Sequence, residues 1–404
     1  MAESIQRSDS IESSGLPLGF KVRQGKRRTG VVALAPGRDV FRVELRALGG
    51  HQKELVVTEG ADGSAFRVVS DEGAGLKGTD LAPFPLGFFS AGLQADVENR
   101  FMAVAQANGL KVAGVTTELA NFYEFNGSFF RGDGRGSAGA PRLKLRVDSG
   151  ADHATITAIA RAALDASPIT AIVRSALQNT FALYVNGKRR TMATPRRSTA
   201  PDAPDPLKTW TGVPKPLAGA DNLADMILKT APAPAAGALP SGWTPPDPAA
   251  TIKRGIEIRG TSHWDAGTTR SETWAATPLG SRFGIASDER PDRDQAPSGM
   301  ALAAGGIAFC LTTQLLRYAE VHKMNVRAIR VVQYSPFELS AAGGTVRAIA
   351  QPFDTHVFLH GDDTDERMEK LLVMAQNTCY LHALLDGPFE PLLEIEVGAA
   401  RRAA

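Results

Sequence analysis

The chain has 404 residues, 43% of them hydrophobic and 22% charged, with a formal net charge of +2. That composition is ordinary for a globular protein, and the length suffices for two or three domains. The charge is too near neutral to argue for a nucleic-acid or membrane-surface partner.

Residues 1–20 open with MAESIQRSDSIESSG, polar and without an apolar signal core, so they read as a disordered N-terminus of a cytoplasmic protein. GVVALAP, VFRVELRAL and KELVVTEG follow as short β-branched runs cut by Gly, Pro and Asp, the pattern of strands. A long helix is predicted over 85–108. KVAGVTTEL and PRLKLRVD are two further strands, 154–177 is helical with a break at Pro168, and FALYVNGK closes a first unit, 21–190. Composition then shifts: 12 of the 25 prolines fall between Pro195 and Pro248. Residues 191–250 read as an extended linker, with ADNLADMILKT as a short helix inside it. The second unit, 251–404, has strands at GIEIRG, SETWAATP and RFGIASD and a helix over 299–322. Strands at VRAIRVVQY and TVRAIAQPF, a helix over 363–383 and a closing strand PLLEIEV complete it.

The order repeats, and so does the text. GSAFRVVSDE at 63–72 and GSRFGIASDE at 280–289 share six of ten residues, and each is followed by a small-residue helix start, APFPLGFFSAGLQAD and APSGMALAAGGIAFC. A period this long is a whole unit written twice, not a solenoid repeat. Each copy reads βββ-α-ββ-α-β, an α+β layout. The two long helices are expected to pack together at the centre, with Gly305-Gly306 allowing close backbone approach.

There are two cysteines. Cys310 lies in a run, Met300 to Leu311, that carries no charge, and an all-apolar helix is a buried one. Cys379 ends a stripe of Met368, Leu371, Leu372 and Ala375 at helical spacing. Without an export signal they are no disulfide scaffold. They are either small buried hydrophobes or a redox or nucleophilic pair. His382 follows Cys379 by three residues and is a candidate general base. Weaker candidates are the turn-like His263, Trp264 and Asp265. His356 and His360 lie near Asp354, Asp362 and Asp363, where strand and turn polarity outweighs a metal site. Residues 132–141 form a glycine-rich loop without the context of a phosphate-binding loop, and GKRRTMATPRR reads as solvated linker.

On APSGMALAAGGIAFCLTTQLLRYAEVHKMNV and ERMEKLLVMAQNTCYLHALL the second half resembles the OsmC/Ohr family. The first half resembles it at APFPLGFFSAGLQADVENRFMAVAQANGLKV and IARAALDASPITAIVRSAL. The resemblance implies two OsmC-like domains forming a covalent pseudo-dimer. It also implies thiol-dependent reduction of organic hydroperoxides, with Cys310 as attacking thiolate and Cys379 as resolving thiol. An external dithiol would reset the pair. No cofactor, metal, nucleic acid or membrane is implied, and the substrate is a small apolar molecule. Aligning the echoes sets Asp96 opposite Cys310 and Ser167 opposite Cys379, so one competent site per chain is expected. The family's activating arginine maps to Arg270, whose counterpart by the repeat offset is Lys53; Arg282 is a second candidate. The peroxidase branch has glutamate ten residues before its first cysteine, where this chain has Met300. That departure keeps two alternatives open. One is a cysteine-nucleophile hydrolase in which Cys310 attacks carbon and His382 moves protons. The other is a small-ligand binding protein using the interdomain cleft.

Overall fold

Alternation of apolar and polar residues writes long strands in both halves. In Val112–Asn126 every second side chain from Val115 onward turns inward. The computed structural model describes residues 9–26, 31–233, 254–276, 280–290, 292–342 and 345–398. The first half runs α1 (Ile11–Ser14), β1 (Gly19–Arg23), β2 (Gly37–Ala47), β3 (Lys53–Thr58), β4 (Ala65–Ser70) and α2 (Pro85–Ala107). It continues with β5 (Val112–Asn126), β6 (Arg135–Ala138), β7 (Arg142–Ser149), α3 (His153–Ala166), α4 (Pro168–Arg174), β8 (Thr180–Val185) and β9 (Lys188–Arg190). After α5 (Leu207–Thr211) come β10 (Ile227–Ala231), β11 (Arg254–Asp265), β12 (Thr268–Ala275), β13 (Arg282–Asp288) and α6 (Gly299–Val321). The chain closes with β14 (Val326–Ala342), β15 (Thr345–Ile349), β16 (Asp354–Gly361), α7 (Asp365–Thr378), α8 (Tyr380–Asp386) and β17 (Leu392–Gly398).

These elements form an α+β structure with two large sheets. One has the order β1-β4-β3-β2-β14-β16-β8-β9 with β15 beside β14; the other has β10-β13-β12-β11-β5-β7-β17 with β6 beside β5. The two orders match position for position up to β8 and β17, and β9 is an addition to the first. In each, a meander from one half is laddered to two strands from the other. Val43 of β2 faces Gln333 of β14, and Ile258 of β11 faces Asn121 of β5. The outer strands β8 and β17 then join in parallel, on β16 and β7. The halves therefore exchange strands, and neither sheet is built from one half alone.

Between the sheets lie the two long helices. The helix α6 rests on β2, β3 and β14, α2 rests on β5, β11 and β12, and the two pack on each other. Small residues set the spacing. A Cβ on Gly92 would stand 2.5 Å from the Gly299 carbonyl oxygen, and one on Gly306 would stand 2.9 Å from that of Pro85. These contacts are mates under the repeat, so alanine at either position forces the helices apart. By length and composition α6 could cross a membrane, but its apolar stretch is buried in the core and only its last turn, at Glu320, is exposed. Side chains such as Leu302, Ile307, Phe309 and Leu311 each contribute roughly 1.5–3 kcal/mol by leaving water.

Several expectations need correction. Within 9–20 the chain is ordered: Ser10 caps α1, and Ile11 is buried. Val31–Leu34 is a turn, not a strand, with Val31 and Val32 buried. The proline-rich stretch through residue 233 packs on the sheets instead of spanning solvent. Trp210 of α5 is buried beside Val56 and Ala65. The expected helix ADNLADMILKT is replaced by β10, which takes on β13 the place that β1 takes on β4. Residues 1–8 and 234–250, the rest of the expected tail and linker, lie outside the described residues. The helix expected over 363–383 is two, α7 and α8, broken at Cys379, whose backbone is extended at φ −74° and ψ 116°. Pro168 announces the same break in the first half, whereas no proline announces the second.

Candidate active site

Cys310 sits midway along α6 and is 2% exposed. Thr313, Gln314 and Arg317 follow it at i+3, i+4 and i+7, on one helix face. With it they line a small cavity of about 50 Å³. Both halves supply the remaining walls: Glu72, Phe84 and Leu86 from the first, Ile256, Ile258 and Tyr380 from the second. The walls are mostly apolar, so the cavity suits an organic molecule with few polar groups.

Cys379 is fully buried at the break between α7 and α8, near enough to Cys310 for the two thiols to influence each other. Both thiols are free. Burial, and then the neighbouring Cys310, push the Cys379 thiol well above its ordinary pKa. His382 Nδ1 lies 3.2 Å from Cys379 Sγ. Burial lowers its imidazole to about 4, so it is neutral at physiological pH and poised to hydrogen-bond the Cys379 thiol. The glycine-rich 132–141 stretch, expected as a free loop, contains β6 and packs over this break. A Cβ on Gly136 would stand 2.8 Å from the Thr378 carbonyl oxygen.

Two cations stand at this site, Arg317 on the cavity wall and the buried Lys53; Arg270 is not one of them. Lys53 is fully buried; its Nζ donates to Thr313 Oγ1 at 2.8 Å and pairs with Glu72 at 3.2 Å. Thr313 Oγ1 donates in turn to Glu72 Oε1 at 2.6 Å. The lysine is thus held one helical turn from Cys310 by a carboxylate of the cavity wall. Arg270 is exposed on the outer face of β12, between buried Thr269 and Ser271. The ladders explain the error. Lys53 pairs with Ser70, whereas Ser287, the match of Ser70, pairs with Thr269. The true counterpart of Lys53 is therefore Thr269, and a slip of one residue moves a side chain to the other face. Arg282 is also exposed, its guanidinium 4.4 Å from the Trp274 ring.

In the first half, the positions matching the thiols also touch. Ser167 Oγ donates to Asp96 Oδ2 at 2.5 Å, and Arg100 Nε donates to Asp96 Oδ1 at 2.9 Å. Arg100 also reaches the Val31 carbonyl at 3.1 Å. This is a satisfied polar plug where the other half has thiols and a cavity.

The weaker candidates lie elsewhere. His263 and Asp265 are exposed, and Trp264 Nε1 donates to Asn99 Oδ1 at 2.8 Å. His356 is buried against Asp354 and Tyr184, and His360 meets Asp205 at 3.1 Å. These two histidines help clamp residues 198–205 onto the first sheet. Among the described residues no group of three or more His, Cys, Asp or Glu is placed to hold a metal.

The family model "OsmC-like protein" matches residues 292–390, the span that carries both thiols. A solved structure, an OsmC-like hydroperoxide resistance protein from Jannaschia sp. CCS1, is 22% identical and covers 31% of this chain and 81% of its own, with a TM-score of 0.21. At that score the likeness carries no structural argument. No curated protein matches the chain.

Proposed function

We propose that the protein reduces organic hydroperoxides with the Cys310–Cys379 pair, in a covalent pseudo-dimer of two OsmC-like units of which one keeps thiol chemistry. The observation that carries this reading is positional. Cys310 opens on an apolar cavity, and Cys379 is buried close to it. The OsmC-like match over the thiol-bearing span supports it.

The thiolate of Cys310 attacks the terminal peroxide oxygen. An S–O bond forms, the O–O bond breaks, and the alcohol leaves with a proton, giving Cys310 sulfenic acid. Cys379 then attacks Cys310 Sγ and the S–O bond breaks; the Cys379 proton, relayed through His382 Nδ1, ends on the departing hydroxide, which leaves as water. An external dithiol, available in a reducing compartment such as the cytoplasm, restores both thiols by exchange. Lys53 supplies the positive charge that a buried thiolate needs. The hydrolase reading is less well served, because its base must act on Cys310 and His382 contacts Cys379.

The test is consumption of cumene hydroperoxide with a dithiol in excess. Cys310→Ser is expected to lose turnover by at least about a thousandfold, since serine is a poor nucleophile at neutral pH. Cys379→Ser is expected to complete one turnover and then carry Cys310 to sulfinic acid, visible by mass spectrometry. Full turnover by Cys310→Ser would overturn the reading.

A further inference from the structure

One group beside the thiols has no role in the reaction written above. Tyr123 projects from β5, a strand of the first half, and is 1% exposed. Its ring lies 5.6 Å from that of Tyr380 on the cavity wall. Its hydroxyl is buried and has no hydrogen-bond partner among the described residues. Burial holds the phenol well above its ordinary pKa, and Cys310 and Cys379 are near enough to oppose its ionisation further. Tyr123 is therefore a neutral donor packed on Tyr380, the neighbour of Cys379, with no partner among the described residues.

The repeat supplies a control. Tyr123 faces Ile256 across the β5–β11 ladder, and Phe337 faces Asp39 across the matching β14–β2 ladder. Followed through the β4–β3–β2 and β13–β12–β11 ladders, Asp39 and Ile256 are equivalent positions, so Phe337 is the counterpart of Tyr123. The plugged half, which has no thiols, keeps the buried ring without the hydroxyl. An orphaned buried hydroxyl is unfavourable unless a partner arrives. In the reduced protein no oxygen sits on Cys310; after one reaction with a hydroperoxide, one does.

We propose that Tyr123 donates its phenolic hydrogen bond to the oxygen carried by oxidised Cys310 and hands that oxygen its proton as the disulfide forms. This rests on the hydroperoxide reading. In the step, Cys379 Sγ bonds to Cys310 Sγ and the Cys310 S–O bond breaks with its electron pair going to oxygen. The Cys379 proton passes to His382 Nδ1, and the departing hydroxide takes the phenol proton to become water. The imidazolium then returns a proton to the phenolate through that water. No oxidant beyond the hydroperoxide is required.

The experiment compares wild type with Tyr123→Phe, which installs the residue found at the matching position and preserves the ring. Rapid mixing with cumene hydroperoxide, followed by acid quench and mass spectrometry, separates formation of Cys310 sulfenic acid from its conversion to the disulfide. Expected for Tyr123→Phe is a first step within about twofold of wild type and a second step slowed roughly tenfold to a hundredfold, the scale of losing one aimed donor. Sulfenic acid should then accumulate, and more Cys310 should proceed to sulfinic acid at high peroxide. An unchanged second step, or equal slowing of both steps, overturns the role of Tyr123 while leaving the hydroperoxide reading intact. A wild-type protein that forms no Cys310–Cys379 disulfide overturns both.

Discussion

The two ends of the helix pair are built on one plan and filled with opposite chemistry. Around α6, a thiol in the helix meets a thiol at a helix break, a buried lysine stands one turn away, and an apolar cavity opens beside them. Around α2, Asp96 replaces the first thiol, Ser167 replaces the second, and Arg100 fills the space one turn on. Where Lys53 pairs with Glu72, the other half has Thr269 against Glu98. At the plugged end Asp96, Ser167 and Arg100 satisfy one another, although Thr170 Oγ1 beside them is left without a partner among the described residues. The thiol end leaves polar atoms unused, on Gln314, Tyr123 and His382. Satisfied polar groups rigidify a core. The comparison thus sets a carboxylate–guanidinium plug against a pair of thiols beside an apolar cavity.

That contrast can be broken from either side. The largest stability effect is expected at the plug. Asp96→Ala leaves Arg100 buried without its carboxylate and should cost about 3–5 kcal/mol in denaturant unfolding, with peroxide turnover per folded molecule unchanged. Next comes Lys53→Met, expected to slow Cys310 oxidation roughly 100-fold (about 2.7 kcal/mol of barrier) by removing the buried cation. Thr269→Val at the matching place should leave that rate alone. Stopped-flow peroxide consumption reads both.

A smaller effect concerns pH. Burial raises Glu98 from 4.5 to about 7, against the hydrogen bonds from Ser262 and Thr269. A carboxyl raised in the folded state contributes stability that is fully present below its unfolded value and is lost as pH rises through about 7. Glu98→Gln should therefore flatten the decline in unfolding free energy between pH 5 and pH 8 by an amount on the order of 2 kcal/mol. Equal declines in both proteins would assign the titration to another group. The smallest effect is at Arg270. Its side chain lies on the outer face, so Arg270→Ala should change peroxide turnover by less than about twofold. A large loss would restore the role that the repeat offset alone assigns to it.

The sequence carries the parts that depend on local pattern. The uncharged run around Cys310 predicts a buried helix, Gly306 predicts close approach, and the two echoes predict matched positions for thiol and plug. What it does not carry is partner choice. The alternating residues of β2 specify a strand with one inward face, but nothing in them says that the next strand is β14 instead of one from the same half. Register is equally silent, which is why an offset that fits the SDE motif misses Lys53 by one residue and turns Arg270 outward. The break at Cys379 escapes notice because the apolar spacing continues across it and no proline interrupts it. Tyr123 is one aromatic among several in an alternating strand; only the ladder brings it to the thiols.

The exchange of strands has a consequence for how the molecule is made. The first half emerges from the ribosome long before its ladder partner: Val43 must wait for Gln333. Until then β2 presents a bare hydrogen-bonding edge, the kind of surface that invites pairing with another chain. Completing such distant ladders is slow compared with local folding. Two nascent chains on one messenger could satisfy each other's edges by trading halves, so dilution during refolding should favour the monomer over swapped dimers.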